Sequence, residues 1–166
     1  MRTYKVVGGM LLAASLGACG GGGGGGPTGP PSRSIQGSYD VDHTIVFNLG
    51  GFNITFECTG TLVVITAGSG TFAGTLELDP CDGVTDEPVS GPVTGTVAAN
   101  GALTLQLSGQ AALVEVLEEE GCTVISADEA YAGSFTGSRI VADYDAVASC
   151  DGTQLNLHFE LDARRT

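Results

Sequence analysis

The residues of this chain that could do chemistry are five cysteines, two histidines and a large excess of carboxylates. Catalysis by a serine nucleophile needs a histidine base beside the hydroxyl. The only histidines are His43 and His158, and neither lies in a recognisable catalytic motif. His158 alternates with Asn156 and Glu160, so we expect it on the solvated face of a strand. We therefore predict that the protein is not an enzyme.

His43 is the more informative histidine. It lies in register with Val41 and Ile45, which places it on the apolar face of its strand. A buried, hydrogen-bonded histidine fits this pattern, and so does a histidine that lines a ligand cavity. Five side chains are our candidates for lining such a cavity: His43, Tyr39, Phe72, Tyr144 and Phe159.

Carboxylates crowd one glycine-containing loop. The oxygen ligands that this loop offers to calcium are Asp79, Asp82, Asp86 and Glu87. Their spacing does not match the EF-hand pattern. Calcium therefore stays an alternative for this loop, and we predict that the protein uses no metal and no other cofactor.

Cys19 differs in its setting from the other four cysteines. It follows the small residues Gly17 and Ala18, and these follow a positive start at Arg2 and Lys5 and an apolar run over residues 6–16. This order is typical of a secretory signal, and the run is too short to span a bilayer.

The stretch Leu16-Gly17-Ala18-Cys19 resembles the lipobox of bacterial lipoproteins. The resemblance implies that residues 1–18 are a signal peptide, that the Cys19 thiol receives a diacylglyceryl group, and that its new amine is acylated. Two or three acyl chains hold a protein on a membrane without spanning it. Gly20 in place of aspartate implies the outer membrane of the cell envelope. The alternative is an ordinary cleaved signal with Cys19 as a free thiol.

Four cysteines remain if Cys19 is lipidated. They are Cys58, Cys81, Cys122 and Cys150. An even number of cysteines in an exported chain predicts disulfide bridges. Among the three pairings we favour Cys58–Cys81 and Cys122–Cys150, because each joins partners that are near in sequence. A zinc site is the alternative, but the chain has no CxxC pair and its histidines do not flank the cysteines.

The charge balance excludes one class of partner. The chain has 6 Lys and Arg against 19 Asp and Glu, a net charge of −13. Removal of residues 1–18 takes away Arg2 and Lys5 and leaves four cations against 19 acids, a net charge of −15. Such a body is repelled by nucleic acid, whereas a basic protein is an electrostatically suitable partner.

The remaining chain divides into a tether and one domain. Residues 19–34 combine seven consecutive glycines with Pro27, Pro30 and Pro31, a composition typical of a flexible spacer. Residues 35–166 have the size of one domain. Their apolar residues alternate with polar ones, which predicts half-buried β-strands.

We predict about eight strands. Their apolar faces begin at Tyr39, Phe52, Phe72, Val93, Leu103, Tyr131, Ile140 and Leu155. The second strand is expected to bulge or break near Thr59-Gly60, and Asn100-Gly101 is the preferred dipeptide of a type I′ hairpin. Residues 111–120 break the alternation and predict a short helix that ends at Gly121.

Eight sequential antiparallel strands leave two sheet edges, and closure into an up-and-down barrel removes both. The predicted fold is thus all-β and most similar to a lipocalin-type barrel, which it resembles in strand number, spacing, glycine-rich turns and paired cysteines. Gly37-Ser38-Tyr39 takes the place of the lipocalin Gly-x-Trp. A β-sandwich is the alternative fold.

Two functions remain open for such a body. An eight-stranded barrel is wide enough to hold one small ligand, and small inward residues would leave room for an apolar molecule: Gly74, Gly95, Gly133, Ala142, Ala146 and Ala148. The alternative is a filled barrel in a structural or protein-interaction lipoprotein, for example an inhibitor of a basic enzyme.

Overall fold

The computed structural model of the protein describes residues 34–68, 70–81, 87–108, 117–118 and 121–166. Cys19, the predicted signal peptide and nearly all of the tether lie outside these ranges. Most of the predicted helix also lies outside them. Its described residues, Leu117 and Glu118, are helical.

The described part of the chain forms nine β-strands. They are β1 Gly37–Leu49, β2 Phe52–Gly68, β3 Thr71–Leu78, β4 Val89–Val97, β5 Ala102–Leu107, β6 Cys122–Ala127, β7 Tyr131–Phe135, β8 Arg139–Cys150 and β9 Thr153–Arg165. All their pairings are antiparallel.

The sheet closes on itself because β1 pairs with β2 on one side and with β9 on the other. The ring runs through β1, β2, β3, β4, β5, β7, β8 and β9. Strands β6 and β7 pair with successive parts of β8 and so act as one interrupted strand. The protein is therefore a closed, eight-position, up-and-down barrel, which confirms the predicted fold and excludes the sandwich.

The position of the bulge in β2 differs from the prediction. Strand β2 pairs with β1 without interruption from Phe52 to Val64, so it does not break near Thr59-Gly60. Its irregularity lies between Val64 and Thr66, opposite β3. The glycine was therefore a misleading signal, because it lies within a regular ladder.

Strand β6 was not predicted from the sequence. Its register against β8 shifts between Val124 and Ser126. The shift ends the alternation of buried and exposed side chains after Cys122 and Val124. Two inward residues are too few to make a period of two visible in the sequence.

Both expected disulfides are present in the structure. Cys58 on β2 bonds to Cys81, just after β3. Cys122 and Cys150 are directly opposed partners on β6 and β8, and they are bonded as well. Both bridges connect neighbouring parts of the barrel wall.

One end of the barrel, which we call the closed end, is sealed by Ile35, Tyr39 and Arg165, and we call these three residues the plug. This end holds the start of β1 and the end of β9. The fully buried Tyr39 hydroxyl donates to the Ile35 carbonyl oxygen at 2.5 Å and accepts from Arg165 Nη2 at 2.8 Å. The Arg165 guanidinium also lies 5.2 Å from the centre of the tyrosine ring, a cation–π distance. Aromatic, aliphatic and cationic groups thus seal this end together.

Candidate ligand-binding site

The barrel interior next to the closed end is packed. The Phe72 ring occupies the space beside Gly95, where a Cβ would lie 2.4 Å from Cζ of that ring. At Gly74 and Gly133 a Cβ would lie 2.2 and 1.9 Å from carbonyl oxygens of the neighbouring strands. These three glycines allow close approach of rings and strands. At Gly95, the Phe72 ring fills the space that the sequence-based expectation left for a ligand.

Four rings meet in the middle of the barrel, and we call them the aromatic floor: His43, Tyr131, Tyr144 and Phe159. The His43 and Phe159 rings stack with centroids 6.1 Å apart. The Tyr131 and Tyr144 rings stack at 5.2 Å, and Tyr144 meets Phe159 edge-on at 5.7 Å. Strands β7, β8, β9 and β1, which are neighbours in the ring, each contribute one inward position, so the floor spans that half of the barrel.

His43 carries the polar chemistry of the aromatic floor. It is only 5% exposed, and its Nε2 lies 3.3 Å from the Tyr131 hydroxyl oxygen. Its Nδ1 is buried and has no hydrogen-bond partner among the described residues. Burial lowers the pKa of the imidazole to about 4. Burial, and then the proximity of Tyr144, raises the pKa of Tyr131. The floor is therefore polar but uncharged at neutral pH.

The opposite end of the barrel, which we call the open end, carries exposed apolar residues. Leu49 and Phe52 flank the Gly50-Gly51 turn between β1 and β2 and are 43% and 79% exposed. Ile54 is 54% exposed and Val89 is 42% exposed. Register places all four on the inward faces of their strands, opposite residues such as Phe47 and Leu78. We call these four residues the apolar lip.

Between the apolar lip and the aromatic floor, Ile45 and Leu157 are buried, but five inward apolar side chains are half-buried. They are Phe47, Phe56, Leu107, Val124 and Leu155. Phe47 and Phe56 contact edge to face at 5.5 Å.

Half-buried inward side chains also occur at the closed end, at Val97 and Phe135, and Leu117, between β5 and β6 at the open end, is buried. The open end differs in the β1–β2 hairpin, whose inward side chains Leu49, Phe52 and Ile54 are exposed.

Three of the five predicted cavity residues belong to the aromatic floor: His43, Tyr144 and Phe159. Tyr39 and Phe72 do not, because they pack at the closed end. Sequence reasoning missed Tyr131, although it occupies an apolar strand position. Its position on the inward face of β7 could have identified Tyr131 as an interior residue. Only the pairing of β7 with β5 and β8 brings it to the histidine.

The predicted calcium loop is only partly described. Asp79 Oδ2 accepts a hydrogen bond from the Thr59 hydroxyl at 2.9 Å. Asp82 and Asp86 lie outside the described residues, while Glu87 is exposed. Within the described ranges, no three or more histidine, cysteine or acidic side chains are grouped to hold a metal ion.

The three described cations lie at the closed end, away from the aromatic floor. Arg139 binds the Asp162 carboxylate through Nε at 2.7 Å and Nη2 at 2.8 Å, and Arg164 Nη2 adds a contact at 2.6 Å. Hydrogen bonding to Arg139, and then to Arg164, lowers the pKa of Asp162. Arg165 belongs to the plug. The exposed His158 lies 2.7 Å from an Asp145 oxygen.

Fold and site together define a closed antiparallel barrel with an apolar lip and an uncharged aromatic floor. No protein-family model matches the chain, and no curated protein matches it. Among the described residues, no helix is long and apolar enough to cross a membrane.

Several solved structures are similar to this chain. One is a redesigned β-barrel, 12% identical, with a TM-score of 0.40 over 83% of this chain and 99% of that chain. Another is EF1p2_mFAP2b bound to DFHBI, 11% identical, with a TM-score of 0.45 over 81% and 98%. A third is a Bacteroides ovatus protein of unknown function, 13% identical, with a TM-score of 0.37 over 79% and 41%. The barrel assignment rests on the strand pairing and not on these likenesses.

Proposed function

We propose that this protein is a lipid-anchored, non-enzymatic protein of the bacterial cell envelope whose barrel binds a small apolar molecule through the open end. The observation that carries the proposal is the apolar lip, whose four inward-facing side chains are 42% to 79% exposed. Exposed apolar side chains that cluster on a protein surface mark binding sites. The register of β1 and β2 groups three of the four directly: Leu49, Phe52 and Ile54.

The interior behind the lip has the composition of a ligand site. Apolar and aromatic walls with a small number of placed polar groups are typical of such sites. Here the wall consists of the five half-buried apolar side chains between floor and lip. The polar groups are His43 and Tyr131 of the aromatic floor. An eight-stranded barrel has the width for one small ligand.

The binding test uses the full chain with Cys19→Ser, which lacks the thiol that would receive the diacylglyceryl group. Without acyl chains or detergent, a neutral fluorescent apolar probe such as N-phenyl-1-naphthylamine reports on the apolar surfaces of the protein itself. We expect its fluorescence to rise saturably with protein concentration. No rise would refute the proposal and favour the filled barrel.

Two isoleucines on β2 provide a matched pair of variants for locating the binding site. Ile54 belongs to the lip and is 54% exposed, whereas Ile65 lies near the closed end and is 59% exposed. We expect Ile54→Ser to weaken probe binding about fivefold, because a contact worth roughly 1 kcal/mol is lost. Ile65→Ser should leave the affinity unchanged. Equal effects of both variants would contradict entry at the open end.

The membrane part of the proposal is supported by the lipobox resemblance at Cys19 and is tested separately. Cells that express the full chain are labelled with an alkyne analogue of palmitate. We expect label on the wild-type protein and none on the Cys19→Ala variant. Equal labelling of the two proteins would refute the anchor and leave the barrel proposal untouched.

A further inference from the structure

The aromatic floor contains one buried polar atom that the described fold does not satisfy. His43 Nδ1 has no hydrogen-bond partner among the described residues, and the residue is 5% exposed. Buried polar atoms in native proteins are nearly always paired with protein, water or a ligand. A ligand group that reached the floor would therefore gain a hydrogen bond there.

The partner that suits Nδ1 follows from the two tautomers of the neutral imidazole. If Nε2 donates to the Tyr131 oxygen, 3.3 Å away, Nδ1 is an acceptor. If the tyrosine hydroxyl donates to Nε2, Nδ1 carries the proton and is a donor. A hydroxyl group both donates and accepts, so it pairs with either tautomer.

The charges around the site disfavour an ionised ligand. None of the three described cations contacts the floor, because Arg139, Arg164 and Arg165 all make their contacts at the closed end. The exposed described charges next to the open-end turns, such as Glu87 and Asp151, are acidic. A carboxylate that entered would lose its water without gaining a cation.

We infer that the ligand is an uncharged apolar molecule with a hydroxyl group, and that this hydroxyl forms a hydrogen bond with His43 Nδ1. Its hydrocarbon body lies against the five half-buried apolar side chains and ends at the apolar lip. The inference rests on the proposed binding function and adds the ligand class: long-chain alcohols are bound in preference to the corresponding fatty acids.

Three competitors with the same number of carbons test the ligand class: 1-decanol, decanoate and decane. Each displaces N-phenyl-1-naphthylamine from the full Cys19→Ser chain at neutral pH. We expect 1-decanol to bind about tenfold more tightly than decanoate, because the carboxylate is desolvated without a partner. We also expect 1-decanol to bind severalfold more tightly than decane, because only the alcohol pairs with Nδ1.

Two variants of nearly equal shape isolate the hydrogen bond. His43→Asn keeps a polar atom close to the position of Nδ1, whereas His43→Leu has none. The measured quantity is the ratio of 1-decanol affinity to decane affinity, because a general packing defect weakens both ligands. We expect the ratio to fall about fivefold in His43→Leu and to be retained in His43→Asn.

The outcomes separate this inference from the proposed function. If none of the apolar probes binds, the proposed function itself is refuted. If the probes bind but decanoate competes as well as 1-decanol, the ligand class is wrong. If the ratio is unchanged in His43→Leu, the hydroxyl does not pair with Nδ1, as when a water molecule occupies that position, and the inference is overturned.

Discussion

The buried His43 makes the stability of the barrel depend on pH. Burial lowers the pKa of its imidazole from 6.5 to about 4 in the folded chain. The unfolded chain keeps the ordinary value of about 6.5 and therefore binds the proton more tightly. This contribution to stability is complete above about pH 6.5 and is lost as the pH falls towards 4.

The size of the effect follows from the two pKa values. The difference between the His43 pKa values of the folded and unfolded chain corresponds to a loss of about 3 kcal/mol of stability once both states are protonated. About 2 kcal/mol of that loss develops between pH 7.5 and pH 5. His43 is only 5% exposed, so solvent screening removes little of this energy.

The assay compares urea unfolding of the wild type and of His43→Leu at both pH values, followed by circular dichroism. The carboxylates are the same in both proteins, so their contributions cancel in the difference between the two unfolding free energies. We expect the stability of the variant relative to wild type to increase by about 2 kcal/mol at pH 5. His158→Leu is the parallel variant, because His158 is exposed and its replacement leaves the buried site intact.

Proton NMR checks the cause directly. The chain has two histidines, so the single variants assign both ring signals. We expect the His43 signal to titrate near pH 4. A signal that titrates near 6.5, or a stability difference that is equal at both pH values, would refute a buried neutral imidazole.

Three further measurements test other parts of the barrel. Replacing Cys122 and Cys150 by alanine opens a bridge of sequence separation 28, and urea unfolding should show a loss of about 3 to 4 kcal/mol. Gly95→Ala places a Cβ 2.4 Å from Phe72, so thermal unfolding should show a destabilisation of about 1 to 3 kcal/mol. Asp162→Asn should be less stable than wild type at pH 7, because arginine contacts lower the pKa of this carboxyl. In urea unfolding that deficit should shrink as the pH falls below about 4, because the carboxylate of the unfolded wild-type chain becomes protonated there and the folded carboxylate follows at lower pH.

Much of the fold could be predicted because the signals are local. Successive side chains of a strand point to opposite faces, so the sequence alone assigned Val41, His43 and Ile45 to one face. The same reasoning missed β6, because a bulge after Val124 interrupts the period. It also placed a bulge near Gly60, where the ladder is regular.

The candidate site could be predicted only in part. Strand parity identified His43, Tyr144 and Phe159 as inward residues. It could not separate them from Tyr39, because inward residues at the plug and at the floor have the same parity. The position along the barrel axis depends on which strands become neighbours.

By itself, the sequence determined the class of fold, the inward-facing residues and the candidate cysteine pairs, since alternation and nearness in sequence are properties of short segments. Only the tertiary structure decided which end is closed and which polar groups meet. Tyr39 and Arg165 seal the barrel across 126 residues of chain, and His43 meets Tyr131 across 88. Contacts at such separations arise from closure of the sheet, when β9 returns to pair with β1 and the strands acquire a common interior.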